Sequence, residues 1–297
     1  MRSLDALANA AEETRWSLDQ LDWTTPVDLS RPWMPAALFP LHGSPLLAHL
    51  SASQIEHLRH EVCCWVISQL FHGELDALLA AMEMQALETA DGARFLDTQI
   101  RDEARHVAVF WRYLDRKVGG VYPRCHELER LRVLTQQAES LDMKVLATQV
   151  VLEGLGLATL GTIHHFATGE PLLRKIVQLV VRDEARHVTY GVVSLAPNVT
   201  ELSEAERGHR EDFVCELVRL MRDRLLCEQV WERAGLPVRE CTEAVRSSPG
   251  QVGHRRLMFA KIVTTLDRIG LLGMRMRHRL DQLGALRPPR QELLAHA

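Results

Sequence analysis

The chain has 297 residues, 46% of them hydrophobic, and a formal net charge of −4, enough for a large core and giving no electrostatic case for a nucleic-acid partner. Six cysteines without a spaced framework fit free thiols better than disulfides. No apolar run reads as long enough to span a bilayer, and the opening residues lack the apolar core of a signal peptide, so the expectation is a cytoplasmic protein with no membrane partner.

Residues 1–50 are punctuated by Pro26, Pro32, Pro35, Pro40 and Pro45, which interrupt helix. Trp16, Trp23 and Trp33 point to a strap packed on the body, with a free arm as the alternative. Ser53 and Glu56 have capping-box spacing, and a long helical pattern follows to about Ala90. Asp91-Gly92 reads as a turn. A second helix runs to about Val118, where Gly119-Gly120 stop it. A connection through Pro123 leads to a third helix over Ala138–Ala167. Pro171 opens a fourth, which ends before Pro197. Two more helical stretches, Ser203–Ala234 and Arg255–Leu283, complete an all-α pattern. The organisation expected is one structural domain: an extension (1–50), a four-helix bundle (51–197) and C-terminal helices packed on it (198–297).

One heptapeptide carries the chemistry. RDEARHV occurs at Arg101–Val107 and again, 81 positions on, at Arg182–Val188. Each copy holds Glu-x-x-His: Glu103 with His106, and Glu184 with His187. Residues three apart share a helix face, so each copy presents one carboxylate and one imidazole together. That donor pair suits iron, manganese or zinc. Leu96, Ile100, Val107 and Phe110 surround the first pair; Val177, Val180, Val181 and Val188 surround the second. A carboxylate on an apolar stripe needs a partner, and a shared dication provides one.

The other two helices offer further carboxylates. Glu153 is the only one between Asp142 and Glu170. On the first helix, Glu74 and Glu83 compete, both with apolar neighbours. Glu74 precedes Glu153 by 79 residues, close to the repeat spacing, whereas Glu83 precedes it by 70. That mismatch corresponds to roughly 16 Å of helix, which favours Glu74.

The order Glu74, Glu103-x-x-His106, Glu153, Glu184-x-x-His187 resembles the ferritin-like di-iron carboxylate superfamily over roughly residues 55–195. The resemblance implies a ferritin-like four-helix bundle in which four glutamates and two histidines hold two metals. Two of the glutamates would bridge, and His106 and His187 would be terminal ligands. It also implies that Asp102 reaches His187 and Asp183 reaches His106 from the partner helix. Arg101, Arg105, Arg182 and Arg186 would close that network or form a solvated face. Phe110 stands where ribonucleotide reductase radical subunits keep a tyrosine. Val180 stands where aminobenzoate N-oxygenases carry a third histidine, so a seven-ligand site of that kind is not expected.

The resemblance implies a di-iron oxygenase that uses O2 to hydroxylate, N-oxygenate, desaturate or cleave a small-molecule substrate, with manganese or a manganese–iron pair as alternative cofactors. Electrons would come from a separate reductase, a ferredoxin or a small reductant. A non-catalytic iron-storage protein is the second reading, and a metal-free bundle with paired side chains the third. The segments outside the bundle are expected to enclose a substrate pocket or build a homodimer. Gly154, Gly156 and Gly161 are expected either to open space beside Glu153 or to allow close helix packing. His164 is an ordinary helix-end histidine or a substrate contact.

Overall fold

The computed structural model describes residues 3–286, so the last residues of the expected C-terminal segment, 287–297, lie outside it. Among the described residues there is no β-strand. Twelve helices are present among them: α1 (Leu4–Glu13), α2 (Ala52–Gln85), α3 (Ala90–Tyr113), α4 (His126–Gln137), α5 (Leu141–Val145), α6 (Glu153–Phe166), α7 (Pro171–Val199), α8 (Glu204–Arg224), α9 (Glu228–Arg233), α10 (Val238–Ser247), α11 (Pro249–Arg268) and α12 (Met274–Gln282). A π-helical segment, Leu146–Leu152, joins α5 to α6 without a break. The bundle consists of α2, α3, the α5–α6 rod and α7. Around it, α1 packs on α3 and α7, α4 on α8, and α11 on α6.

Local chemistry moves several boundaries from their expected places. The capping box at α2 is Ser51 with Gln54, two residues earlier than Ser53 with Glu56, because Ser51 is the residue in extended backbone. Asp91-Gly92 is not the turn. The break falls at residues 86–89, and Gly92 sits in the first turn of α3, where a Cβ would collide with the Glu88 carboxylate. Helix α7 continues through Pro197 to Val199, since proline φ suits a helix and only one backbone hydrogen bond is lost near the end. Helices α1, α4 and α10 lie outside the expected pattern. The expected helix Ser203–Ala234 breaks at Cys227, which has φ +56°, and Arg255–Leu283 breaks at Gly270, with φ +78°.

The N-terminal segment is a strap and not a free arm. Leu7, Ala8 and Ala11 bury one face of α1, and Trp16 and Trp33 are buried behind it. All six cysteines are free and buried. The expectation that no apolar run is long enough for a bilayer needs correction. The helical stretches Ala52–Gln85 and Leu141–Phe166 meet that test by length and composition. Their most apolar windows are 61% and 67% buried within the fold, and they carry Glu74 and Glu153 into it.

Candidate metal centre

Four rods bring six donors to one point inside the bundle. Glu74 comes from α2, Glu103 and His106 from α3, Glu153 from the first residue of α6, and Glu184 and His187 from α7. Every one is buried, with Glu103, His106 and His187 fully so. They fall into two overlapping clusters, Glu74–Glu103–His106–Glu184 and Glu103–Glu153–His187, with donor atoms within 4.8 Å of one another in each. Glu83 lies outside both. Its carboxylate is 41% exposed and accepts from Lys144 Nζ at 2.8 Å.

The two histidines are placed crosswise. His106 Nε2 lies 3.3 Å from Asp183 Oδ2, and His187 Nε2 lies 3.4 Å from Asp102 Oδ2. Each aspartate is held below the usual carboxylate range. Burial works against this, but the facing histidine outweighs it. Carboxylates only accept, so Nε2 carries a proton, and Nδ1 is the nitrogen left facing the carboxylates, to be occupied by a proton or a metal. The arginines of the repeat divide into two kinds. Arg186 donates to Asp102 at 3.1 Å and Asp183 at 2.7 Å, and Arg105 pairs with Asp102. Arg101 and Arg182 instead tie down the strap, through Glu12 and the Thr14 carbonyl.

Inside the crossed pairs the atoms are short of partners. His106 Nδ1 faces Glu74 at 3.1 Å, Glu184 at 3.2 Å and Glu103 at 3.4 Å. His187 Nδ1 faces Glu103 at 3.1 Å and Glu184 at 3.6 Å. Glu103 Oε2, Glu153 Oε2, Glu184 Oε1 and His187 Nδ1 are all buried without a hydrogen bond. Inward lone pairs on carboxylate and imidazole repel unless a proton or a cation lies between them. Accordingly, burial and the neighbouring Glu184 push Glu74 and Glu153 well above the usual range in the metal-free chain. Oxygen and imidazole donors in this proportion fit two dications.

Several residues that shape the site carry no local sequence signal. Trp16 donates its indole N–H to Asp183 Oδ2 at 2.6 Å and stacks on His106 at 6.4 Å between centroids. Gln99 donates to Glu153 at 2.8 Å and Glu103 at 3.2 Å, and accepts from Gln149 at 3.2 Å. Gln149 lies on the π-helical segment, which approaches α7 so closely that a Cβ on Gly191 would meet Gln149 Cβ at 2.7 Å. The glycines of α6 serve different ends. Gly154 packs against Ile262 of α11. Gly156 lines a cleft beside Glu74, Glu153 and Glu184, and a Cβ added there would have nothing within 4 Å. Gly161 is exposed, and His164 is half-buried and outside both donor clusters.

Fold and donor set together are those of a dimetal carboxylate protein of the ferritin-like class. The profile of one family, described as p-aminobenzoate N-oxygenase AurF, matches residues 1–270. The chain belongs to that family and is an oxygenase. No curated protein sequence matches it significantly. Among solved structures it is similar to a variant of R2-like ligand-binding oxidase with an anaerobically reconstituted Mn/Fe cofactor, at 14% identity and a TM-score of 0.59, covering 92% of this chain and 94% of that one. The same oxidase after aerobic reconstitution and photoconversion superposes with a TM-score of 0.58 at 14% identity, covering 91% and 94%. These likenesses concern the fold. Val180 is fully buried and offers no donor, so the described site has one histidine per helix of the α3–α7 pair.

Proposed function

We propose that Glu74, Glu103, His106 and Glu184 hold one metal, and that Glu103, Glu184, Glu153 and His187 hold the second. Glu103 turns one oxygen to each histidine, and Glu184 Oε1 lies within 3.6 Å of both Nδ1 atoms, so these two carboxylates would be shared by the two metals. Iron is the natural occupant of such a donor set, and the Mn/Fe cofactor of the R2-like oxidases supports a mixed pair as the alternative. When bound, the metal pair supplies the electrons and the binding site for dioxygen reduction. The chain's own residues do the rest. Asp102 and Asp183 keep a proton on Nε2, Gln99 orients Glu103 and Glu153, and the fully buried Phe95 ring covers His187. The product is an oxidised small organic molecule, and the family's named reaction, N-oxygenation of an aryl amine, is one candidate. Electrons arrive from a separate reductase, a ferredoxin or a small reductant.

The observation that carries this reading is the set of four buried, unpartnered donor atoms turned toward one point. It is tested by anaerobic iron loading followed by oxygen. Two irons per chain and a single oxygen-consuming event are expected. Failure to bind iron, manganese and zinc alike overturns the metal reading, and uptake of tens of irons with growing mineral absorbance replaces catalysis by storage.

A further inference from the structure

Helix α11 presents Gln251, His254 and Arg255 from one face to a cavity of about 70 Å³. The other walls are mostly apolar, among them Met34 and Leu38 of the strap and Trp65 of α2. Arg255 is 8% exposed. Its Nε makes no hydrogen bond, and the guanidinium lies against Gly284, where a Cβ would stand 3.5 Å from that nitrogen. Burial holds the His254 imidazole below its usual range, so it brings a ring N–H without adding charge.

The surroundings add positive charge instead of cancelling it. Burial, and then the nearby Arg222, Arg256 and Arg246, hold Arg255 below the usual arginine range, with Asp223 opposing them. Asp223 is itself shared by Arg222 at 2.7 Å and Arg219 at 3.4 Å. Arg246 has Glu243 at 3.3 Å. Among the described residues no carboxylate forms an ion pair with Arg255 or Arg256, and Arg256 too has a buried Nε without a hydrogen bond. Both guanidinium charges are therefore left over on one turn of α11. A buried cation without an anion is costly, and an anion in the cavity removes that cost.

We propose that this cavity binds a phosphate-type oxyanion, with Arg255 donating through its planar fork, His254 adding a ring N–H and Arg256 supplying a second positive charge. Parallel guanidinium N–H groups match the oxygens of phosphate and sulfate, and two surplus cations favour a dianion. The space is well above the roughly 10–15 Å³ that one water needs. Leu225 and Leu226, from the turn between α8 and α9, also line the cavity. The anion thus ties the strap, α2, that turn and α11 together, and stabilises the chain by binding only its native form. None of the six metal donors lines this cavity, so the site stands apart from the two-metal reading.

The test is calorimetric titration of the full chain with inorganic phosphate, sulfate, acetate and chloride at constant ionic strength, beside thermal melts of the same samples. Phosphate or sulfate should fill one saturable site, about ten-fold or more tighter than acetate or chloride. Arg255→Met should weaken that binding about ten-fold or more, yet melt above the unaltered chain in oxyanion-free buffer, because a buried unpaired cation is gone. Phenyl phosphate separates the two sources of the group: tighter binding than phosphate assigns the site to a phosphorylated small molecule, weaker binding to the free ion. No saturable binding, no preference over acetate and chloride, or unchanged affinity in Arg255→Met overturns the proposal. If Arg255→Met does not fold, Arg256→Gln decides, where a several-fold loss is expected and undiminished affinity overturns it. Metal-free and zinc-loaded protein should respond alike, and a response confined to the loaded protein would place phosphate on the metals and overturn the site. Failure to bind metal with the phosphate response intact sinks only the oxygenase reading.

Discussion

Trp16 and Asp183 are 167 residues apart and joined by a 2.6 Å hydrogen bond, with Asp183 Oδ2 also facing His106 at 3.3 Å. The indole N–H therefore fixes the carboxylate that fixes the histidine. Trp16→Phe keeps the stacking but removes the donor. It should lower stability by about 1–3 kcal/mol and weaken metal binding by less than loss of the aspartate does. Thermal unfolding with and without metal checks both. An unchanged metal affinity would confine Trp16 to packing.

Asp102→Asn and Asp183→Asn attack the crossed pairs directly. An amide can donate to Nε2 and favour the wrong tautomer. Each should cost about 10–100-fold in metal affinity, at opposite members of the pair. Competition against a chelator measures it.

Glu74→Ala should leave one metal or none. Glu83→Ala should keep both and cost about 1 kcal/mol, because Glu83 is half-exposed and its partner Lys144 still donates to the Thr135 carbonyl at 3.0 Å. Metal analysis of the two variants side by side decides. Loss of metal in Glu83→Ala alone would reverse the assignment.

Protons and metals compete for this site. Without metal, burial and Glu184 raise Glu74 and Glu153. His106 and His187 are also raised, by Glu74 and Glu103 respectively, although burial opposes it. Above the unfolded carboxylate value of about 4.5 these four groups hold more protons in the folded metal-free chain than in the unfolded one, so their contribution to stability falls as pH rises, against the smaller opposite contribution of the half-buried His60, His72 and His254. Metal loading should release protons, bind tighter at higher pH and flatten the decline. Melting curves of chelator-treated and loaded protein between about pH 5.5 and 8.5 test this. A metal-free chain that grows more stable with pH contradicts it.

Two glycines should respond in opposite ways. Gly191→Ala drives a methyl into Gln149 Cβ, at 2.7 Å, and should destabilise by about 1–3 kcal/mol while disturbing the Gln149–Gln99 link. Gly156→Ala meets open space inside a helix and should be neutral or gain up to about 1 kcal/mol. Denaturant unfolding of both variants separates packing from propensity.

The α3 and α7 donors are readable in the sequence because charged residues on an apolar stripe are costly unless they converge, and the heptapeptide marks both stripes. Glu153 is readable as a lone carboxylate in an apolar run. The strap's contribution is not. Trp16 and Gln99 act through partners distant in sequence, and a single indole or amide carries no periodicity. The π-helical segment is silent because it is a change of backbone winding within residues that are apolar all round. Helix α1 is masked by the prolines that follow it, and α4 by Pro123 just before it. The left-handed turn at Cys227 runs against that residue's own preference, so nothing local announces it.

The strap also sets an order of events during synthesis. Residues 4–16 leave the ribosome long before Asp183, Arg182 and Arg186 exist, yet those are their partners. Contacts of such long range form late, because the loop between them must close first. The helix hairpin α2–α3 carries half the donors, but its histidine gains its orienting carboxylate only when α7 docks, and that carboxylate gains its indole partner only when the strap does. A chain trimmed of its first turns would keep the donors and the crossed aspartates but lose the indole N–H that holds Asp183 in place.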